Sequence, residues 1–321
     1  MKFFLTGGPY HCKILPVKKI FDGHGQGRPL RKRAFFLYPD ALKPGNMKIL
    51  DKKILSETKD ARVTMLAILV PDIAREAKAG QFVALMVCEE GERIPLTIVK
   101  SDKAARTITL IFQEVGLTTK MLGALKAGDS LYAIAGPLGH ATEIKNYGKV
   151  VLVGGGVGIA EIYPVGRALK EAGNNVTTIL GARTKDLLIL ERELKKASDE
   201  FYVTTDDGSC GKKAFTTDVL AELLNKNKYN LIYAVGPIPM MKRVSMISKP
   251  FGVKTIVSLN ALMVDATGMC GCCRVTVAGQ TRFSCVDGPE FEASLVDWDE
   301  LEKRNSIYSD KERHICRLDI K

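Results

Sequence analysis

Residues 149–158 read KVVLVGGGVG, a charged residue and four apolar residues that pass directly into glycines. An apolar run bounded in this way is typical of a buried strand. Gly154, Gly155, Gly156 and Gly158 lack a Cβ, so their backbone can approach a phosphate closely, and a following helix offers its free N–H groups. This order predicts a dinucleotide site, although an ordinary tight turn between strand and helix stays an alternative.

The glycines do not settle which dinucleotide binds. The strict G-x-G-x-x-G pattern fails, because its last position, counted from Gly154, is Ile159. The next predicted strand ends at Arg183, and no acidic residue there can hold an adenosine ribose. Arg183 can hold a 2′-phosphate or a pyrophosphate, so NAD(H) and NADP(H) both stay open.

The segments on either side of this loop define the fold class. Residues 148–253 alternate strand and helix patterns, which predicts a parallel sheet covered by helices. Residues 47–147 carry short β-branched runs separated by turn residues, which predicts a small antiparallel barrel. Residues 254–321 are loop-rich and hold most of the cysteines. The expected architecture is therefore a β plus α/β protein: a barrel, a nucleotide-binding domain and a small C-terminal cysteine module.

The first 46 residues differ from the rest in charge. They hold nine Lys/Arg and two Asp, a net of +7, out of +11 for the whole chain. They show no sustained apolar periodicity, so we predict a disordered extension, with a partner-binding basic arm as the alternative. The remainder is only mildly basic and has no basic–aromatic stripe, which argues against nucleic-acid binding.

The composition also bears on location. The sequence has no apolar run of the roughly 20 residues that a membrane span needs, so no membrane association is expected. Several of the eight cysteines are crowded into one segment, which is more typical of metal or redox work in a reducing compartment than of a disulfide framework. We therefore expect a cytoplasmic protein.

The cysteine segment has the spacing of an iron–sulfur site with one substitution. Plant-type [2Fe–2S] sites use C-x₄-C-x₂-C and a distant fourth cysteine. Cys270, Cys273 and Cys285 supply the last three positions, and Asp265 stands at the first. Three alternatives stay open here: Asp265 as a turn residue that caps the loop, Cys272 as the fourth ligand, or a zinc site. Zinc is disfavoured because the four histidines all lie outside the segment.

Several motifs together resemble the electron-transfer subunits of the dihydroorotate dehydrogenase type, within the ferredoxin–NADP reductase superfamily. The resemblance is closer to the small FAD/NAD-binding subunits of NADH-dependent reduced ferredoxin:NADP oxidoreductases, and covers about residues 47–310. The motifs are GERIPLTI, FQEVGLTTKMLG, GPLG, GGGVGIAEIYP, TTDDGS, VGPIPMMK and DATGMCGCCRVTV…CVDGPEF. Asp265 is itself a feature of the second branch, since the first has cysteine there.

The resemblance implies cofactors and the residues that hold them. FAD is expected along the first domain, NAD(H) or NADP(H) over the glycine loop, and a [2Fe–2S] cluster on Asp265, Cys270, Cys273 and Cys285. The expected FAD residues are Arg93, Pro95, Leu96, Thr97, Ile111, Phe112, Gln113, Gly116, Thr118 and Thr119. The expected nicotinamide-dinucleotide residues are Gly154, Gly155, Gly156, Gly158, Arg183, Asp206, Gly236, Pro237 and Met240.

The chain departs from the usual motif at Glu161, where proline is common. We expect that carboxylate to lie near the phosphate end of the loop and to be unfavourable to anions.

The resemblance also implies the reaction. NADH would pass a hydride to FAD, and electrons would leave singly through the cluster to a larger flavin/iron–sulfur subunit and, through that complex, to ferredoxin. No side chain is expected to act as a nucleophile or general base. The rival hypotheses are a dihydroorotate dehydrogenase subunit, a reductase that needs no partner, and a non-catalytic redox-sensing or zinc-stabilised scaffold.

Overall fold

The computed structural model describes residues 47–59 and 61–308. The predicted extension at residues 1–46 and the last part of the predicted C-terminal tail lie outside them. None of the helices within these ranges is long and apolar enough to cross a membrane.

The first domain, called the β domain, is built from antiparallel strands in two sheets. One sheet has the order β1-β2-β6-β5 and the other β4-β3-β7. Their inner faces share one core, in which Leu66, Leu85 and Leu110 are fully buried. The elements are β1 (Ile49–Glu57), β2 (Arg62–Leu69), α1 (Pro71–Glu76), β3 (Phe82–Met86), β4 (Ile94–Thr97), β5 (Lys100–Asp102), β6 (Thr107–Gln113), α2 (Leu117–Ala124) and β7 (Ala133–Leu138).

The chain changes sheet between β4 and β5. Sequence patterning predicts one strand over residues 94–102, but β4 belongs to one sheet and β5 to the other. The two residues between them, Ile98 and Val99, are buried. Burying this apolar corner lets one continuous segment cover two sides of the core.

The second domain, called the α/β domain, carries a seven-stranded sheet with the order β11-β10-β9-β8-β12-β13-β16, whose last strand, β16 (Glu290–Glu292), comes from the C-terminal module. All neighbours are parallel except the last pair. Central strand β12 is buried along its whole length, as expected for a sheet with helices on both faces. The elements are β8 (Lys149–Gly155), α3 (Ile159–Glu171), β9 (Asn175–Ala182), α4 (Glu191–Lys196), β10 (Glu200–Thr205), β11 (Lys212–Lys213), α5 (Thr216–Lys226), β12 (Leu231–Val235), α6 (Ile238–Ser248) and β13 (Lys254–Ser258).

The remaining elements form the cysteine module. It contains a two-stranded hairpin, a short helix between the hairpin and the final strand, and a last helix. The elements are β14 (Arg274–Val277), β15 (Gln280–Phe283), α7 (Ser284–Asp287), β16 (Glu290–Glu292) and α8 (Trp298–Asn305).

The sheet of the α/β domain extends past the boundary predicted after residue 253. Strand β13 starts at Lys254 and pairs in parallel with β12, and β16 then adds an antiparallel edge strand from the cysteine module. The run TIVS at residues 255–258 is short, so sequence alone did not separate it from the loop-rich segment that follows. The β plus α/β fold class with a C-terminal cysteine module is confirmed.

Candidate functional site: a glycine-loop cleft and a cysteine loop

The glycine loop joins β8 to α3 through a single 3₁₀ turn at Gly156–Gly158. A Cβ on Gly158 would lie 2.5 Å from the carbonyl oxygen of Val235, so this glycine lets the loop pack against β12. Gly156 has φ +57, and the space where its Cβ would point is open. The loop therefore packs against β12 on one side and is open at Gly156 on the other. The open side fits the approach of a phosphate to backbone N–H groups.

The open side of the loop faces a cleft of about 790 Å³. The β domain contributes Val63 and Gln113 to its wall, which are partners across the β2–β6 ladder. The cleft thus lies where the two domains meet. The predicted residues that line it are Gln113, Gly155, Gly156, Gly158, Arg183, Asp206, Gly236, Pro237 and Met240.

Gly154 has another role. A Cβ at this position would come within 2.6 Å of the Ile162 side chain and 3.2 Å of the Ile159 Cα. It is therefore a packing glycine beneath α3, away from the cleft. Sequence reasoning grouped it with the other glycines because all four have the same local pattern.

Several cleft residues were not predicted. Arg243 on α6, Phe215 before α5, Ser258 at the end of β13 and Asn260 after it all line the wall. The last two lie at the carboxyl end of a parallel strand, which is where ligands bind in open α/β sheets. That signal was present in the sequence, but it required recognition of β13 as a sheet strand.

Strand β4 of the β domain offers a partly uncovered apolar surface. Pro95, Leu96 and Thr97 are each only half-buried, although their strand pairs with the core strand β3. Partly uncovered apolar residues inside a domain fit a flat, largely apolar ring system such as a flavin. By contrast, the side chains of Ile111 and Phe112 are buried, so only their backbone can face a ligand.

The hydroxyl groups near the start of α2 are bonded within the protein. Thr119 Oγ1 accepts hydrogen bonds from the backbone amides of Val115 (3.0 Å) and Gly116 (2.9 Å) and thus caps the turn. Thr118 Oγ1 donates to the Glu92 carboxylate at 2.9 Å. Any pyrophosphate contact at this turn would therefore come first from backbone amides.

The cysteine loop brings two sulfur atoms together. The Sγ atoms of Cys273 and Cys285 lie 3.2 Å apart, and both side chains are buried. This separation exceeds the roughly 2.05 Å of a disulfide bond, so the two thiols converge without being joined. Their mutual hydrogen bond lowers the pKa of Cys273 to about 6 and raises that of Cys285 above its usual range.

The backbone of this loop turns at residues in the left-handed region. Gly268 has φ +82 and Gly271 φ +66, conformations that a side chain would disfavour. A Cβ on Gly268 would also lie 2.9 Å from a methyl group of Val286. The glycines therefore wrap the chain around the two buried sulfur atoms, which fits a thiolate-held cluster.

The other two predicted ligands, Asp265 and Cys270, do not converge on the sulfur atoms of Cys273 and Cys285. Cys270 is exposed, and the Asp265 carboxylate contacts the Arg93 guanidinium and the Thr267 hydroxyl. Within residues 47–59 and 61–308 no three ligand-type side chains converge on a common point. Cys272 is half-buried, and its carbonyl oxygen accepts a hydrogen bond from Arg304 at 3.0 Å. The loop thus brings together two of the four predicted ligands.

Arg93 and Glu161 both have partners within the protein. Arg93, expected among the FAD residues, is paired with Asp265. Glu161, expected at the phosphate end of the glycine loop, accepts a hydrogen bond from the Ser258 hydroxyl, with Oγ 3.2 Å from Oε2, and its carboxylate also lies beside the Thr97 hydroxyl. Burial raises the pKa of Glu161 to about 7, so it is less of an anion than the sequence suggested.

The domains and loops define the class of protein. Residues 152–246 match the oxidoreductase NAD-binding domain, and residues 260–297 match the iron-sulfur cluster binding domain of dihydroorotate dehydrogenase B. The chain is thus an NAD(P)H oxidoreductase subunit whose cofactors are a nicotinamide dinucleotide, FAD and an iron–sulfur cluster.

Relatives narrow this class. The chain is 52% identical over 243 residues to a homolog of the dihydroorotate dehydrogenase B (NAD(+)) electron transfer subunit from Thermotoga maritima, covering 76% of this chain and 86% of that one. It is 33% identical to the probable subunit of that name from Methanopyrus kandleri, covering 77% and 91% of the two chains. The chain therefore belongs to the family of dihydroorotate dehydrogenase B electron transfer subunits and their homologues.

Solved structures agree on the fold. A chain from an NADH-dependent reduced ferredoxin-NADP oxidoreductase, studied for flavin-based electron bifurcation, superposes with a TM-score of 0.80 at 48% identity, covering 86% of this chain and 98% of that one. Ferredoxin-NADP⁺ reductase from Plasmodium falciparum superposes with a TM-score of 0.53 at 16% identity, covering 64% and 89%. The second likeness concerns the fold alone.

Proposed function

We propose that this subunit takes a hydride from NADH in the glycine-loop cleft and passes the electrons singly through the cysteine-loop cluster to a larger flavin/iron–sulfur subunit. The complete reaction proposed is NADH-dependent reduced ferredoxin:NADP oxidoreduction, with ferredoxin served through the complex. The observation that carries the proposal is the shared wall of the cleft, where Val63 and Gln113 of the β domain face the glycine loop. That arrangement lets a nicotinamide bound at the loop meet a flavin bound on the β domain.

The division of labour follows the domains. We assign FAD to residues 47–147, the nicotinamide dinucleotide to the α/β domain that begins at residue 148, and the [2Fe–2S] cluster to the cysteine module. The proposed cluster ligands are Asp265, Cys270, Cys273 and Cys285. The convergence of Cys273 and Cys285 supports two of these four directly.

The protein's own part in the chemistry is positioning. The flavin supplies the change from two-electron to one-electron transfer when it is bound. The glycine loop binds the dinucleotide, the apolar half-buried face of β4 receives the ring system, and the buried sulfur atoms hold the cluster away from water. Thiolates that ligate iron must stay reduced, so a cytoplasmic location is part of the proposal.

The first experiment is anaerobic purification followed by analysis of flavin, iron and acid-labile sulfide per chain. One FAD with about two irons and two sulfides is expected for this cluster type. Addition of NADH should then bleach the flavin and produce the electron paramagnetic resonance signal of a reduced cluster. Flavin without iron, or a loaded protein that NADH does not reduce, would refute the electron relay.

A second candidate is the dihydroorotate dehydrogenase electron transfer subunit, since relatives of this chain carry that name. The two candidates differ in the larger subunit. Purification of the native complex from its source and assays with dihydroorotate, and separately with NADP⁺ and reduced ferredoxin, distinguish them. Dihydroorotate oxidation by the complex would establish the second candidate and exclude the first.

A further inference from the structure

Glu161 is a carboxylic acid in the wall of the cleft that the electron relay does not use. It lies in the first turn of α3, directly after the glycine loop. Its Oε2 accepts a hydrogen bond from Ser258 Oγ, at the end of β13, at 3.2 Å, and its carboxylate also lies beside the hydroxyl of Thr97, the last residue of β4. Glu161 therefore connects the nucleotide side of the cleft to the strand that we assign to the flavin.

The surroundings of Glu161 favour its neutral form. Among the described residues none of the ion pairs includes it. The charged group that acts on Glu161 is another acid, Glu290 of β16, which is also largely buried. Burial is the largest cause and raises the pKa of Glu161 to about 7; the Ser258 and Thr97 hydroxyls act in the opposite direction, and the like charge of Glu290 adds a smaller rise. An acid of this kind can both hold and release a proton near neutral pH.

Glu290 is itself fixed by hydrogen bonds. Tyr233 Oη donates to its Oε1 at 2.7 Å, and the Thr142 hydroxyl donates to the same atom. Burial raises the pKa of Glu290 and, together with this carboxylate, raises that of Tyr233 well above its usual range. Tyr233 therefore stays a proton donor to Glu290.

The cleft gives the Glu161 carboxyl group access to solvent. Glu161 borders the open cleft, in which the charged groups are Arg183, Asp206 and Arg243. Its carboxyl group can thus reach water on one side and Thr97 on the other. Proton exchange with solvent needs no opening of the core.

In the proposed function, each hydride brings two electrons and one proton, and the electrons leave singly through a cluster that takes no proton. Mass and charge balance therefore release one proton per hydride at the flavin side of the cleft. We propose that Glu161 is the group that accepts this proton at its carboxylate beside Thr97 and passes it to the water of the cleft. This inference rests on the proposed electron relay and adds a named proton carrier to it.

The first test is infrared difference spectroscopy of the flavin-loaded and iron-loaded protein before and after reduction with NADH. Wild-type protein should show a change in the C=O stretch of a protonated carboxylic acid. Glu161→Gln should lose that band, and Glu161→Asp should retain a shifted one. Glu171→Gln, an exposed carboxylate at the end of the same helix, is the matched control and should keep the wild-type band.

The second test separates proton transfer from hydride transfer. Stopped-flow mixing with NADH measures flavin reduction, and subsequent mixing with ferricyanide, a one-electron acceptor that takes up no proton, measures reoxidation. Glu161→Gln should slow reoxidation by about a hundredfold or more, the effect typical for loss of a proton-transfer group, and should change the rate of reduction much less. Glu171→Gln should follow wild type in both steps.

The outcomes are distinguishable. An unshifted carboxylic-acid band in both Glu161 variants, or wild-type reoxidation in Glu161→Gln, overturns the proton role and leaves the relay standing. Wild-type protein that NADH does not reduce overturns the proposed function itself. If Glu161→Gln does not retain flavin, the band in Glu161→Asp decides: a shifted band supports the proposal and an unshifted one refutes it.

Discussion

The Arg93 guanidinium lies against the Asp265 carboxylate, although 172 residues separate them in the chain. Arg93 directly precedes β4 of the β domain, and Asp265 opens the cysteine loop. This contact joins the segment assigned to the flavin to the first position of the proposed cluster site. Because both side chains are partly exposed, their pairing contributes little to folding stability and matters more for local charge.

Arg93→Gln should lower the reduction potential of the cluster by some tens of millivolts. The substitution removes a positive charge beside a proposed ligand, and net charge near the iron is one of the main determinants of cluster potential. A redox titration followed by electron paramagnetic resonance measures the effect. Arg167→Gln, which removes a surface arginine paired with Glu171, should leave the potential unchanged. Equal shifts in both variants would show that the Arg93–Asp265 contact has no special effect.

Asp265→Ala should lose more than about half of its iron and sulfide, because a [2Fe–2S] cluster needs a fourth protein ligand. Asp265→Cys should keep the cluster with a changed absorption spectrum, since thiolate is the softer ligand. Iron and sulfide per chain are measured after anaerobic purification. Asp299→Ala, at a highly exposed position, is the control. Full iron content in Asp265→Ala would assign this residue to the loop turn alone.

Cys272 and Cys285 should respond in opposite ways to substitution. Cys285→Ala removes one of the two buried converging sulfur atoms, so we expect loss of the cluster and a lower melting temperature. Cys272→Ala should retain the cluster, because adjacent side chains such as those of Cys272 and Cys273 usually point apart. The same iron analysis tests both, and loss of iron in Cys272→Ala would favour the ligand set without Asp265.

Gly156→Ala and Gly252→Ala form a matched pair for the nucleotide site. Both glycines have positive φ, +57 and +63, and open space where a Cβ would point. Each substitution should destabilise the fold by about 1–2 kcal/mol, the cost of a left-handed conformation for alanine. Only Gly156 lines the cleft, so only its substitution should raise the dissociation constant for NADH, by about tenfold. Equal NADH affinity in the two variants would place the dinucleotide elsewhere.

The raised pKa of Glu161 predicts a pH-dependent stability. Its folded-state pKa of about 7 exceeds the ordinary value of 4.5, so the folded protein binds more protons than the unfolded chain between these values. The free energy of unfolding should therefore fall as pH rises through this window, by about 2 kcal/mol in total for a carboxyl group that borders an open cleft. Urea unfolding of wild type and Glu161→Gln below and above the window measures this. A pH slope that survives in Glu161→Gln would come from other groups, such as Glu290.

Sequence patterns predicted the features that depend on neighbouring residues. The apolar run before Gly154 predicted β8, which the structure contains, and the glycines predicted a dinucleotide site; Gly155, Gly156 and Gly158 line the cleft to which we assign it. A buried strand and a glycine loop each depend on residues that are adjacent in the chain, so the sequence alone can indicate them. The cysteine spacing predicted Cys273 and Cys285 as ligands of one cluster, and the 3.2 Å between their sulfur atoms supports that prediction.

Contacts between distant segments could not be predicted in this way. The pairing of Arg93 with Asp265, and the Glu161 environment formed by Thr97, Ser258 and Glu290, depend on how three domains pack. The strand β13 was missed for a related reason, since its short apolar run becomes a strand through pairing with β12 and β16. Tertiary context decided each of these features.

Strand β16 makes the cysteine module part of the nucleotide sheet instead of a domain on a flexible linker. Its backbone pairing with β13, from Ser258↔Glu290 to Ile256↔Glu292, fixes the module in register. An exchange of modules between relatives would therefore have to carry the outermost strand with it. A chimaera joined after residue 258 that lacked β16 would bare the edge of β13, invite aggregation there, and delete the Glu290 neighbour of Glu161.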